Sequence, residues 1–208
     1  MAKGGVGSMK EKLFKTAIKL FQEQGYEKVS ITMICEACGV TKGCFYYHYP
    51  AKDDLLLSYY TTIDTEKLTD IMTEMLLIPN NAEKLWKIFN YYLECSVILG
   101  PELLKYLIKR DMDRNLSFFP QTMETMKQRF PRFYKIIEAL SMEGQKKGEI
   151  CTARSWIEIW EDFASAFLGI LAYWCSNDGQ FDVTGRVYRV FELMYEPSST
   201  VGPSNPEP

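Results

Sequence analysis

One histidine, His48, is all that 208 residues offer for acid–base chemistry near neutral pH. The chain also has no G-x-S-x-G, no H-E-x-x-H, no G-x-x-x-x-G-K-[ST] and no glycine-rich dinucleotide turn. The nucleophile elbow, the zinc-protease helix and the phosphate loop are therefore all missing. Neighbouring acids such as Glu161 and Asp162 sit at adjacent helix positions and diverge, which makes them poor acid–base partners. The expectation is a protein that is not an enzyme and needs no cofactor.

Long apolar runs are missing too. The longest candidate, Phe163 to Cys175, is too short to span a bilayer and follows two acids. No membrane partner is expected. No stretch alternates apolar and polar residues at strand period, and nothing repeats, so the chain reads as all-α. Six cysteines are scattered without a pairing pattern and without a signal peptide ahead of them, which implies reduced, cytoplasmic thiols. Cys35, Cys38, Cys44 and His48 have a superficially zinc-like spacing. Helical periodicity places the first two on an inward face and the others on a second helix, so no metal is expected. A redox-sensing regulator would need an exposed, low-pKa thiolate among these cysteines.

Net charge is −3, which by itself does not suggest nucleic acid. Residues 1–55 hold eight lysines against six acids, a net +2, which leaves −5 for the rest. Hydrophobic residues make up 47% of the chain, enough for a sizeable core. Helices are expected at Met9–Gln24, Ile31–Cys38 and Lys42 to about Tyr47. A long one should follow from Lys52 to about Leu77, then others at 82–99, 102–115, 121–147 interrupted at Pro131, 156–176 and 183–196. The glycine-rich residues 1–8 and the proline-rich 197–208 read as flexible tails.

The most informative stretch is SITMICEACGVTKGCFYYHYPAKDDL, residues 30–55. Ser30 is a helix cap, and Ile34, Cys35 and Cys38 give the first helix a small apolar face. Gly39 suits a left-handed helix end, Val40 fills the angle, and Thr41 caps the second helix. Phe45 is its core anchor, and Pro50 closes the unit. This is the layout of a helix-turn-helix over about residues 31–50, which presses its second helix into the DNA major groove.

The stretch resembles the tetracycline-repressor (TetR) family of bacterial regulators. The matching residues are Ile34, Cys35, Cys38, Gly39-Val40-Thr41-Lys42-Gly43, Tyr46, His48, Tyr49, Lys52 and Leu55, together with the first helix and its Gly25-Tyr26 turn. The resemblance covers about residues 10–57. It departs at Cys35 and Cys38, which are usually alanine in the family, and at Thr32, where a longer side chain is common. It implies a three-helix DNA-binding head at 9–55 and a helical ligand-binding and dimerisation domain at 56–196. It further implies that Thr32 and Lys42 read bases, that Gly43 permits close approach, and that Thr41, Tyr46, Tyr47, His48 and Lys52 hold phosphates.

The implied partners are a palindromic double-stranded DNA operator, a small-molecule effector of unknown identity, and a second copy of the chain in a homodimer. The expected behaviour is that of a repressor released from DNA by its effector, with the 52–77 helix as lever. A small-molecule carrier on the same fold that does not bind DNA is the alternative. Candidate effector-pocket residues are Tyr91, Tyr92, Cys95, Leu107, Ile108, Met112, Phe119, Met123, Phe133 and Phe167, an adaptable apolar set. Candidate dimer residues are Trp156, Trp160, Phe163, Val187, Phe191 and Met194, the apolar stripes of the last two helices.

Overall fold

The computed structural model describes residues 8–61, 65–114 and 122–196. Among the described residues every regular element is a helix. They run α1 (Met9–Gln24), α2 (Ile31–Cys38), α3 (Lys42–His48), α4 (Lys52–Thr61), α5 (Thr65–Met75), α6 (Asn81–Leu99), α7 (Pro101–Arg114), α8 (Met123–Arg129), α9 (Pro131–Lys147), α10 (Trp156–Ser176) and α11 (Val183–Tyr195).

The first three helices owe their boundaries to local chemistry. Ser8 Oγ accepts the Glu11 N–H at 3.3 Å and starts α1. Ser30 Oγ accepts the Met33 N–H at 3.2 Å and starts α2. Gly39 ends α2 at φ 67° and ψ 37°, a left-handed conformation that disfavours any residue with a Cβ. The Val40 N–H then returns to the Cys35 carbonyl at 2.9 Å, which fixes the angle between α2 and α3. Thr41 Oγ1 accepts the Cys44 N–H at 3.3 Å and starts α3.

Small side chains let α2 lie close to α1. Cys35 and Cys38 are buried, Cys38 Sγ lies 3.9 Å from the Lys12 carbonyl, and Lys12 Nζ donates to the Cys38 carbonyl at 2.9 Å. Leu13, Ala17, Phe21, Ile34, Phe45 and Leu55 fill the space between α1, α2, α3 and α4. Tyr49 is buried as well, and its hydroxyl donates to the Lys10 carbonyl at 3.2 Å.

Of the helix expected at 52–77, α4 and α5 are the described portions; residues 62–64 between them lie outside the described residues, and turn bonds at Leu76–Ile78 close α5. Pro131 breaks the expected 121–147 segment and sits at the start of α9, where its missing N–H costs no helical hydrogen bond.

The body is built on two long pairs. α10 packs along α11 and α7, and α9 packs along α6. Between them, Phe89, Phe163, Phe191 and Tyr195 form a ring cluster with centroids 4.5 to 6.0 Å apart. Gly144 on α9 permits a close approach: a Cβ there would stand 2.5 Å from Ile150 Cδ1 and 3.2 Å from Asn81 Cβ. No helix among the described residues is long and apolar enough to cross a membrane.

Candidate nucleic-acid interface

α3 divides its residues between two faces. Phe45 is fully buried and anchors the helix, edge-on to Tyr46 with centroids 5.7 Å apart. Lys42, Gly43, Tyr46 and Tyr47 recur at four-residue spacing and are all exposed, Tyr47 by 84%. Thr41 is exposed at the head of this face, while Cys44 and His48 are half-buried at its side. Tyr47 and His48 touch edge to face at 4.9 Å. Thr32, in the first turn of α2, is half-buried.

Such a face suits a DNA groove. The tyrosine and threonine hydroxyls offer donors to phosphate oxygens, Lys42 offers a charge, and Gly43 leaves the helix backbone bare. A Cβ on Gly43 would meet only its own chain's Thr41 Oγ1, at 3.6 Å, so the chain's packing gives no reason for a glycine there.

Lys52 departs from the expected role. Its ammonium donates to the Tyr26 carbonyl at 2.8 Å and the Val29 carbonyl at 2.9 Å, and lies 4.0 Å from the Tyr26 ring centroid. Burial lowers its pKa, against the opposing charges of Glu27 and Asp53. Lys52 thus ties α4 to the turn between α1 and α2 instead of reaching outward. The carbonyls that capture it are 23 and 26 residues away, beyond local sequence reasoning.

A second candidate site lies in the body. Ile71 and Met72 of α5, Ile88, Tyr91 and Tyr92 of α6, and Phe133 of α9 surround an apolar cleft of about 20 Å³. Burial drives the Tyr92 hydroxyl to a pKa above its ordinary range, so it stays protonated. The structure brings together Tyr91, Tyr92 and Phe133 from the expected pocket set. Leu107, Ile108 and Met123 are buried elsewhere, Cys95 and Phe167 are half-buried and do not line the cleft, and Phe119 lies outside the described residues. Met112 is 67% exposed and does not line this cleft. Ile71, Met72 and Ile88 were not among the expected pocket residues; the apolar pair Ile71-Met72 was the available signal.

The expected dimer stripe needs a similar correction. Trp160, Phe163, Val187 and Phe191 are all buried within a single chain, because α10 and α11 pack on each other and on α6 and α7. Trp156 and Met194 are half-buried. The apolar side chains these two helices leave exposed are Ile157, Tyr173, Tyr188 and Leu193, the last by 84%.

Residues 13–59 match the family model described as bacterial regulatory proteins, tetR family. The uncharacterized HTH-type transcriptional regulator YerO of Bacillus subtilis is 29% identical over 127 residues. That alignment covers 57% of this chain and 43% of YerO, so the chain spans less than half of that relative's length. Among solved structures, the fatty acid degradation regulator FadR of Bacillus halodurans superimposes with a TM-score of 0.65 at 20% identity, over 91% of this chain and 96% of FadR. FadR of Thermus thermophilus, a TetR-family transcriptional repressor solved with lauroyl-CoA, also gives a TM-score of 0.65, at 17% identity, covering 96% of this chain and all of that one, 100%. At these identities the two structures speak for the fold: a TetR-type head on a TetR-type helical body.

Proposed function

We propose that this chain, a TetR-family regulator, binds a palindromic operator as a homodimer, represses transcription there, and is released by a small molecule with a long apolar part. The head would comprise residues 9–55 and the effector-binding and pairing body residues 56–196. The observation that carries the reading is the outward face of α3: Lys42, Gly43, Tyr46 and Tyr47 stand clear of the chain while Phe45 roots the helix behind them. Lys42 and Thr32 would meet bases, and Thr41, Tyr46, Tyr47 and His48 would meet phosphates. A helix-turn-helix of this kind reads half-sites about 34 Å apart, which requires a twofold pair of heads. The exposed Tyr173 of α10 and Leu193 of α11 are the surface on which the body would pair.

The effector class rests on the cleft between α5, α6 and α9, whose six lining residues suit an alkyl chain. The lauroyl-CoA held by the Thermus thermophilus FadR makes acyl-CoA thioesters the first compounds to try. An effector that binds better to the form with splayed heads shifts the population away from DNA.

A footprint on the region upstream of the chain's own gene tests the reading. The full chain should protect a site with twofold symmetry, and lauroyl-CoA or a longer thioester should release it. Lys42→Ala should weaken binding by about 1–3 kcal/mol per head and relax the sequence preference at the base pair it meets. Absence of protection at low salt, or a Lys42→Ala variant with unchanged affinity, would overturn it.

A further inference from the structure

Asp53, the second residue of α4, gathers three donors from two other parts of the chain. The Tyr26 hydroxyl reaches its Oδ1 from the α1–α2 turn, the Tyr106 hydroxyl reaches the same oxygen from α7 at 3.1 Å, and Arg110 Nη2 of α7 pairs with Oδ2. The Tyr26 and Tyr106 rings lie against one another with centroids 4.1 Å apart. The Arg110 guanidinium sits 5.9 Å from the Tyr106 ring centroid. Lys52, the neighbouring residue, holds the same turn through two carbonyls. All of these groups are shielded without being fully enclosed: Asp53 and Arg110 keep 19% and 25% of their side-chain exposure.

The placement of this cluster gives it a purpose beyond packing. Tyr26, Lys52 and Asp53 move with the DNA-reading head, since α4 begins four residues after α3 ends. Tyr106 and Arg110 move with the body: Leu103, Leu104, Leu107 and Ile108 of the same helix are buried, and α7 packs along α10. α10 carries the exposed surface on which two copies would pair. An unbroken path of contacts therefore runs from that surface through α10 and α7 to the carboxylate and on to the head.

We propose that Asp53, Tyr106 and Arg110 form a clasp that sets the angle of the head on the body, and so fixes the half-site spacing the dimer accepts. They are positioning residues: none of them faces the groove, and each acts through the head it orients. The clasp rests on the DNA-binding reading above, and adds that operator spacing is written in α7 and α4, away from the helix that reads bases. The ion pair suits this task better than apolar contact would. Its hydrogen bonds are directional and paired to one carboxylate, so a rotated head loses several at once.

The experiment uses the full chain and duplexes it selects from a random pool. Two-half-site duplexes with one or two base pairs inserted between the halves are compared with a single half-site duplex. For the wild type, each insertion should weaken binding. In Arg110→Met, which keeps the apolar stem, affinity for the best spacing should fall about tenfold, a common size for coupling between sites. The spacing preference should flatten, and single half-site affinity should stay the same. Asp53→Asn should behave alike, and Arg110→Lys should recover part of the preference.

An Arg110→Met dimer with the wild-type spacing preference would overturn the clasp. So would an equal loss on single and double sites, because that marks general damage to the head. If the wild type selects no duplex, the DNA-binding reading itself fails, and hydrogen exchange then decides the clasp. Faster exchange at residues 26–31 and 52–56 in Arg110→Met, with α10 unchanged, supports a tie between head and body. Unchanged exchange in both segments overturns it.

Discussion

Replacing Gly43 with alanine should make the protein more stable and a poorer DNA binder at once. In the free chain the added methyl meets only Thr41 Oγ1, at 3.6 Å, an ordinary contact. Gly43 lies in α3 and is no positive-φ position, so alanine adopts its conformation freely. Glycine in a helix costs about 0.5–1 kcal/mol relative to alanine. For a chain of this size, 1 kcal/mol moves the melting temperature by about 2–4 °C, so a rise of about 1–4 °C is expected. On DNA the balance reverses. Gly43 shares its exposed face with Lys42, Tyr46 and Tyr47, and a methyl standing ~1.5 Å off the backbone keeps the helix from seating. The proposed dimer would insert it twice. A Kd at least tenfold higher, about 1.4 kcal/mol, is the expected result by titration against the footprinted operator. Thermal melting and the titration share one preparation, so the opposite signs cannot arise from misfolding. A Gly43→Ala variant that melts higher and binds equally well would refute the placement of this face against the groove.

Three other outcomes are expected from the same structure. Gly144→Ala should destabilise by about 1–3 kcal/mol, the cost of overpacking, because its Cβ would stand 2.5 Å from Ile150 Cδ1. Adding Ile150→Val removes that atom, so the double variant should melt higher than Gly144→Ala alone; additive losses in a denaturant titration would contradict the contact. Leu193→Glu alters a side chain that is 84% exposed, so helicity should persist while sedimentation shows the chain single and operator binding fails. A Leu193→Glu dimer would move the pairing surface elsewhere. Burial would raise the pKa of Asp53, but the hydrogen bonds from Tyr26, Arg110 and Tyr106 and the charge of Arg110 outweigh it and hold the carboxyl below its usual range. Its contribution to stability is therefore present above the unfolded value near ~3.9 and lost as pH falls below it. Asp53→Asn should flatten the drop in melting temperature across that acid window, and a wild-type slope in the variant would count against the network.

The head was legible in the sequence almost to the residue, because its boundaries are local. Ser30 and Met33, Cys35 and Val40, and Thr41 and Cys44 all act over three to five positions. Serine and aspartate caps fixed α10 and α11 in the same way: Ser155 binds the Glu158 N–H, and Asp182 binds that of Gly185. What stayed hidden was the destination of each apolar stripe. Phe163 and Phe191 have the spacing of an interface and the burial of a core, and only the placement of α6 and α7 against them decides between the two. Lys52 shows the same limit for charge. A lysine beside a helix-turn-helix reads as a phosphate contact until the carbonyls of Tyr26 and Val29 are seen around it. Arg110 had no local signal at all, since its partner lies 57 residues upstream.

The narrowness of the space between α5, α6 and α9 constrains how a guest enters. Twenty cubic ångströms is room for about one water molecule, so under the proposed reading an alkyl chain would have to part Tyr92 from Phe133, whose rings meet at 5.5 Å. The guest would then stand in for packing that the protein's own side chains supply. Its measured affinity is its intrinsic affinity scaled by the fraction of chains already parted. Trimming either ring should therefore tighten the grip on a long thioester even as it loosens the empty fold, and arrival of the guest should be timed by breathing of the body more than by diffusion.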